Sequence, residues 1–223
     1  MNLSHRFRHT VFAWLPFLGI CFLVINHAIG VMGLNSEIHK QDFENISWLN
    51  LLLSFILVFV FQRPLHNRLL LFAVLAFCIG MVAEMLGVNT TFPFGSYYYT
   101  EKFGPQILGV PVIIGINWVL LSYCCGNFTD RYIHSKWLKV LSASALMLAL
   151  DLLLEPFAIR HSFWVWENGV PPLQNYISWF VVSLPIQYSF QYFLTGSRNS
   201  ISLPYIIILA LFLVADLLAA KFW

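Results

Sequence analysis

Charge is what this chain has least of. Asp, Glu, Lys and Arg make up 10% of its 223 residues, where a soluble domain carries about 25%. So few charges cannot clothe a water-facing surface. With 59% hydrophobic residues and a mean hydropathy of +0.75, the composition is that of an integral membrane protein, and the length suits one helical domain over residues 1–223. Cysteine is sparse too. Cys21, Cys78, Cys124 and Cys125 lie in apolar stretches and form no CxxC, so they read as small core residues rather than a disulfide framework or metal site. No basic run is interleaved with aromatics, so the net charge of +2 implies no nucleic-acid partner. There is no Gly-rich phosphate loop, no GxSxG and no HExxH, and no apolar stretch carries a histidine pair at four-residue spacing. No metal and no cofactor is therefore expected. Internal repeats, heptads and low-complexity tails are also missing.

What is present is a series of long apolar runs. Seven stretches come near the roughly 20 residues a spanning helix needs. They are approximately 11–34, 46–62, 68–89, 108–127, 137–157, 173–194 and 203–222. The basic start followed by an apolar run is similar to a signal peptide. The run is long enough to span and no small-residue cleavage site ends it, so it is expected to stay as the first helix. The expected fold is all-α, a polytopic membrane bundle of about seven transmembrane helices.

Lys and Arg set the orientation. One set of connecting segments holds Arg6, Arg8, Arg63, Arg68, Arg131, Lys136, Lys139 and Arg198. The other holds Lys40, Lys102, Arg160 and Lys221. This places the N-terminus in the cytoplasm and the C-terminus outside. Two long outer loops, Thr90 to Ile107 and Ala158 to Pro172, are rich in aromatics, Gly and Pro. They read either as an interfacial aromatic belt or as re-entrant lids over a cavity.

Three acids stand out inside these apolar runs: Glu84 in the third, Asp151 and Glu155 in the fifth. A charge at membrane depth is costly, so such residues usually face a bundle interior and carry function. Asp151 and Glu155 share one helix face. At a rise of about 1.5 Å per residue, Glu84, five residues before Asn89, sits about 7–8 Å below the outer boundary. Asp151 lies at similar depth. Asn26 and His27 on the first span, Asn117 and Trp118 on the fourth, and Asn175 and Trp179 on the sixth fall in the same outer layer. Asn26, Gly30 and Gly33 share a face that permits close helix approach.

Each residue also has a plainer reading. The acids can be structural hydrogen-bonding carboxyls, the asparagines interhelical glue, and His27 a satisfied interior histidine. Trp118, Trp164, Trp166 and Trp179 can be packing or belt, although an aromatic face also stabilises a cation. Lys102 and Arg160 can pair with outer acids. His161 and His27 can approach Glu84 and Asp151.

A cluster of carboxyls in an apolar chamber can keep one acid protonated while another is ionised. That suits protonation of an alkene. A proton added to a trisubstituted terminal double bond leaves a tertiary carbocation, which carboxylates and aromatic faces stabilise. Water held by a second carboxyl then captures it. The sum is hydration without a redox cofactor. The same acids fit a proton-coupled or lipid transporter, although no inverted repeat is seen. A non-catalytic pigment-binding protein and an end-group cyclase that excludes water also remain open.

The order of motifs narrows this. Glu84 is followed by Phe94-Gly95-Ser96-Tyr97-Tyr98-Tyr99, Gly104-Pro105, Gly109-Val110-Pro111 and Asn117-Trp118. Then come Asp151, Glu155-Pro156, Trp164-Val165-Trp166, Gly169-Val170-Pro171-Pro172 and Asn175 through Trp179. This series resembles the membrane carotenoid 1,2-hydratases of the bisanhydrobacterioruberin hydratase and γ-carotene hydratase type, over roughly residues 75–185. The resemblance implies an all-helical enzyme of the bacterial cytoplasmic membrane. It adds water across the terminal C1=C2 bond of an acyclic carotenoid ψ-end, with the carotenoid drawn from membrane lipid and other carotenoid-biosynthesis enzymes as partners. The positions matching the pattern are Glu84, Asp151 and Glu155. On this reading Asp151 or Glu84 protonates C2, and Glu155 orients or deprotonates the water. Asn26 and His27 hold the acids in position and are also expected to bind substrate. Tyr97, Tyr98, Tyr99, Asn117, Trp118, Trp166, Asn175 and Trp179 are expected to shape the end-group pocket.

Overall fold

Among the described residues, the seven apolar runs become seven α-helices, joined by loops that alternate between the two ends of a bundle. The structure, a computed structural model, describes residues 3–62 and 67–219. Arg63, Lys221 and the last residues of the seventh run lie outside the described residues, as do the side chains of Arg6 and Arg8. The helices are α1 (Leu3–Leu34), α2 (Lys40–Val60), α3 (Asn67–Thr90), α4 (Val112–Tyr132), α5 (Lys136–Arg160), α6 (Leu173–Phe193) and α7 (Ser202–Ala219). Leu, Ile, Val and Phe side chains such as Leu70, Val74, Val82, Leu152 and Leu211 face outward. That is the pattern of a bundle whose solvent is lipid, where every backbone group must bond within its own helix. The central helix is α4, packed by α2, α3, α5, α6 and α7 and buried along most of its length.

Six helices, namely α2 to α5, α7 and the Trp14–Leu34 part of α1, are long and apolar enough to cross a membrane. The seventh candidate, α6, has the length but is too polar to join them. Asn175, Ser178, Ser183, Gln187 and Gln191 lower its hydropathy, and all five turn into the bundle interior. Two other boundaries differ from the sequence expectation. Residues 106–111 form a hairpin of β2 (Gln106–Ile107) and β3 (Val110–Pro111), so α4 starts at Val112 and not near 108. Pro111, with its fixed φ, is the residue before the first turn. At the other boundary α5 continues through Pro156 to Arg160, which sets Glu155 inside the helix instead of at its end.

The all-α expectation holds for the bundle, and the outer loops add small sheets. In chain order, β1 (Tyr97–Tyr99) precedes the β2–β3 hairpin, and β4 (Trp164–Trp166) follows α5. β1 and β4 pair antiparallel with Tyr97 opposite Trp166, Tyr98 opposite Val165 and Tyr99 opposite Trp164. The two long loops are thus stitched into one cap over the end of the bundle. At the opposite end a polar knot ties the chain. Asn199 accepts from the backbone N–H of Ile201 (2.8 Å) and Ser202 (3.2 Å) at the start of α7. Tyr123 donates to Gln62, and the Asn199 amide donates to the Val58 carbonyl at 2.8 Å.

Candidate functional site: an acid chamber beneath an aromatic cap

The three intramembrane acids come from two helices and meet in one chamber. Its walls are Glu84 of α3, Ile114 and Asn117 of α4, Asp151, Leu154 and Glu155 of α5, and Asn175 and Trp179 of α6. Phe94, Tyr97, Tyr99, Trp164 and Trp166 close it from the cap. The cavity is about 20 Å³, room for roughly one water molecule.

Glu84 is held by three donors. Tyr97 and Tyr99 donate their hydroxyls to Oε2 at 2.5 and 2.8 Å, and Trp118 donates its indole N–H to Oε1 at 3.0 Å. Gly80 makes the last bond possible. It lies one turn before Glu84, and a Cβ there would stand 2.4 Å from Trp118 Cγ, so only glycine lets the indole lie against α3. Gly87, on the next turn, gives the same clearance to Phe94 and the Tyr97 hydroxyl. Glu155 is held by a second set. Trp164 and Trp166 donate to Oε2 at 3.1 and 3.0 Å, and the Asn175 amide donates to Oε1 at 3.0 Å. The same Asn175 nitrogen lies 3.3 Å from Asp151 Oδ2. Asp151 is fully buried, and its Oδ1 has no hydrogen-bond partner. Among the three acids it alone has such an oxygen.

The cap works by strand alternation. Successive residues of a strand point to opposite faces, so Tyr97 and Tyr99 face the chamber while Tyr98 is 54% exposed on the far side. The sequence expectation had placed Tyr98 in the pocket, and the two-residue period removes it. The same period puts both Trp164 and Trp166 inside. Burial, and after it the nearby Glu84 carboxyl, push the Tyr97 and Tyr99 hydroxyls well above the usual phenol range, so both stay donors. Tyr97 packs on Trp166 with ring centroids 4.9 Å apart, and Trp118 stacks on Trp179 at 4.1 Å.

Beside the chamber lies a larger cavity of about 360 Å³ between α1, α2, α4, α5 and α7. Its lining is mostly apolar, including Phe43, Leu121, Leu150, Phe157 and Phe212, with Asn26 and His27 on the α1 side. Asn117, Ile114, Leu154 and Trp164 belong to both cavities, so the two share a wall. Asn26 and His27 therefore do not position the acids as expected. His27 Nδ1 bonds the Leu23 carbonyl at 2.8 Å, and its ring packs edge-on against Phe212 and Tyr205.

His161 also goes elsewhere. Its ring bridges Glu44 (3.2 Å) and Asp216 (3.1 Å) in a buried network completed by Lys102 on Glu44 at 2.6 Å and Arg160 on Asp216 at 3.0 Å. Asp216 is a fourth intramembrane acid, unnoticed in the sequence because it stands near the chain's end with no motif around it. Among the described residues, no three His, Cys, Asp or Glu side chains are grouped to hold a metal ion.

A helical bundle with six helices long and apolar enough to cross a membrane, an acid-lined chamber and an adjoining apolar cavity defines a polytopic membrane protein. The family pattern described as carotenoid biosynthesis protein matches residues 46–223, and the chain belongs to that family. It is also similar to bisanhydrobacterioruberin hydratase of Haloarcula japonica, 31% identical over 110 residues. That match covers 43% of this chain and only 36% of the relative's length. No solved structure matches the chain.

Proposed function

We propose that this protein is a carotenoid 1,2-hydratase, a single membrane domain that adds water across the terminal C1=C2 bond of an acyclic carotenoid ψ-end. The observation that carries the reading is the shared wall. An apolar cavity suited to an isoprenoid chain abuts a chamber that holds three carboxyls and has room for about one water.

Asp151 is the acid in this scheme. Its carboxyl proton is delivered to C2 of the bound alkene. The C1=C2 π pair forms the new C2–H bond and leaves a tertiary cation at C1. The Trp179 face and the nearby carboxyls stabilise that cation. Water attacks C1, and Glu155, fixed by two indole N–H donors and Asn175, takes the released proton. Asp151 is reprotonated from Glu155, its neighbour across the Asn175 amide. Glu84, anchored by two tyrosines and Trp118, supplies fixed negative charge to the far side of the chamber. Proton and water balance to a tertiary alcohol, with no oxidant or reductant.

The substrate enters from the bilayer, and the protein sits in a cytoplasmic membrane with its N-terminus inside. The distribution of cations supports that orientation. Arg68, Arg131, Lys136, Lys139 and Arg198 gather at the end opposite the cap, whereas the cap end has Lys40, Lys102 and Arg160. The test is expression in a bacterium that makes lycopene or γ-carotene. Pigment mass rises by one water per reacted end; unchanged mass in pigment that co-purifies with the protein refutes the reading.

A further inference from the structure

Five buried side-chain polar atoms lack a hydrogen-bond partner among the described residues, and four of them lie along the interior faces of α5 and α6. They are Asp151 Oδ1 and Ser144 Oγ on α5, and Gln187 Oε1 and Gln191 Nε2 on α6. All four residues are at least nine-tenths buried. α5 and α6 pack closely against each other, and across the seam between them Gln187 of α6 reaches the Met147 sulfur of α5 at 3.1 Å. Unpaired buried polar groups are rare and costly, and a helical serine ordinarily bonds the carbonyl one turn back. Ser144 does not. Gln187 uses its amide nitrogen on the Ser122 carbonyl (3.0 Å) and the Met147 sulfur (3.1 Å), which leaves its oxygen pointing at nothing in the protein.

The spacing has a direction. Asn175, Trp179, Ser183, Gln187 and Gln191 follow each other at four-residue steps on α6, and all are buried. The first binds Asp151 in the chamber, and the last lies half a turn before Phe193, the end of α6 opposite the cap. This stripe is also what makes α6 too polar to match its neighbours. Asp151 and Ser144 are seven residues apart, about 10.5 Å along the axis, a gap that about three waters bridge at hydrogen-bonding distance. Buried waters settle where two to four polar partners converge, and the unpartnered atoms of this seam supply those partners.

We infer that the α5–α6 seam holds a file of ordered waters running from Asp151 to Gln191, and that the file delivers to the chamber the water its reaction consumes, from the membrane face opposite the cap. The occupancy of the seam stands by itself; its delivery role rests on the hydration reading. The aromatic cap then acts as a seal, and the chamber stays dry on the side where the substrate's end group lies.

Met147 reports directly on the seam. Its sulfur is buried and contacts Gln187 and Ser122, whereas Met81 is equally buried against Gly115 in apolar packing. In the full-length protein in lipid nanodiscs, X-ray radiolysis of bound water oxidises Met147 several-fold faster than Met81, and Ser144→Ala lowers that rate. Equal, low rates at the two sulfurs overturn the water file. Hydration is then measured in the same variants. Ser144→Ala and Gln187→Leu slow product formation while bound carotenoid is retained, and full-rate hydration in both overturns delivery. If Gln187→Leu does not fold, Ser144→Ala alone decides. Rapid Met147 oxidation in a parent protein that hydrates nothing refutes the hydratase reading and leaves the water file intact.

Discussion

Replacing Asp151 by Asn separates catalysis from folding more cleanly than any other change at the chamber. The substitution keeps the side chain's shape and removes its acid. Asp151 makes one protein hydrogen bond, from Asn175 at 3.3 Å, and its other oxygen makes none. Loss or reversal of that bond costs the fold about 1 kcal/mol. A general acid contributes about 10²- to 10⁴-fold to rate, or roughly 3 to 5 kcal/mol of barrier. The expected result is a protein that melts within a few degrees of the parent, still co-purifies with carotenoid, and forms hydrated product at least about 100-fold more slowly. Melting is followed by intrinsic tryptophan fluorescence in detergent, and product by pigment mass in a lycopene-producing host. An Asp151→Asn protein that hydrates within about threefold of the parent removes Asp151 as the donor, since loss of a general acid costs far more.

The cap gives a paired test, in which Tyr97→Phe deletes a donor to Glu84 and lowers hydration, while Tyr98→Phe on the outer face leaves the rate unchanged; equal rates in the two variants refute the alternation argument. Gly80→Ala drives a methyl into Trp118, costs about 1–3 kcal/mol of stability as an overpacked site and breaks the Trp118–Glu84 bond, which a thermal melt and a product assay read together. Asp216→Asn leaves Arg160 and His161 short of a buried partner and destabilises the bundle by about 3–5 kcal/mol, measured as a fall in Tm with Asp151→Asn as reference. Tyr97 and Tyr99 are held above the ordinary phenol pKa of 10.0. A raised folded-state value means stability that is complete below pH 10 and lost above it, so the tyrosinate absorbance of these two residues appears only with alkaline unfolding. A tyrosinate signal from them in folded protein refutes that burial.

The bundle and the acids were legible from composition and pattern because a bilayer imposes a simple rule. Apolar runs of the right length must be helices, and an acid inside one must face inward. The convergence of Glu84, Asp151, Asn117, Asn175 and Trp179 on one layer followed from counting residues along helices of known rise. The cap was harder to read. The triplets Tyr97-Tyr98-Tyr99 and Trp164-Val165-Trp166 carry a two-residue period that, taken as strand, admits Trp164 to the site and excludes Tyr98. The Gly80-x3-Glu84-x2-Gly87 face was likewise available as a sign that something large packs on α3 beside the acid.

Sequence alone determined that this chain lives in lipid, that its helices alternate, and that its third and fifth helices carry carboxyls at matched depth, since each follows from one-dimensional periodicity and the cost of charge in hydrocarbon. Only tertiary structure decided which polar groups meet. Rotation and tilt of neighbouring helices are set by side-chain packing, and those sent His161 to Glu44 and Asp216, left Asn26 and His27 on the wall of the apolar cavity, and left polar atoms of α5 and α6 buried without protein partners.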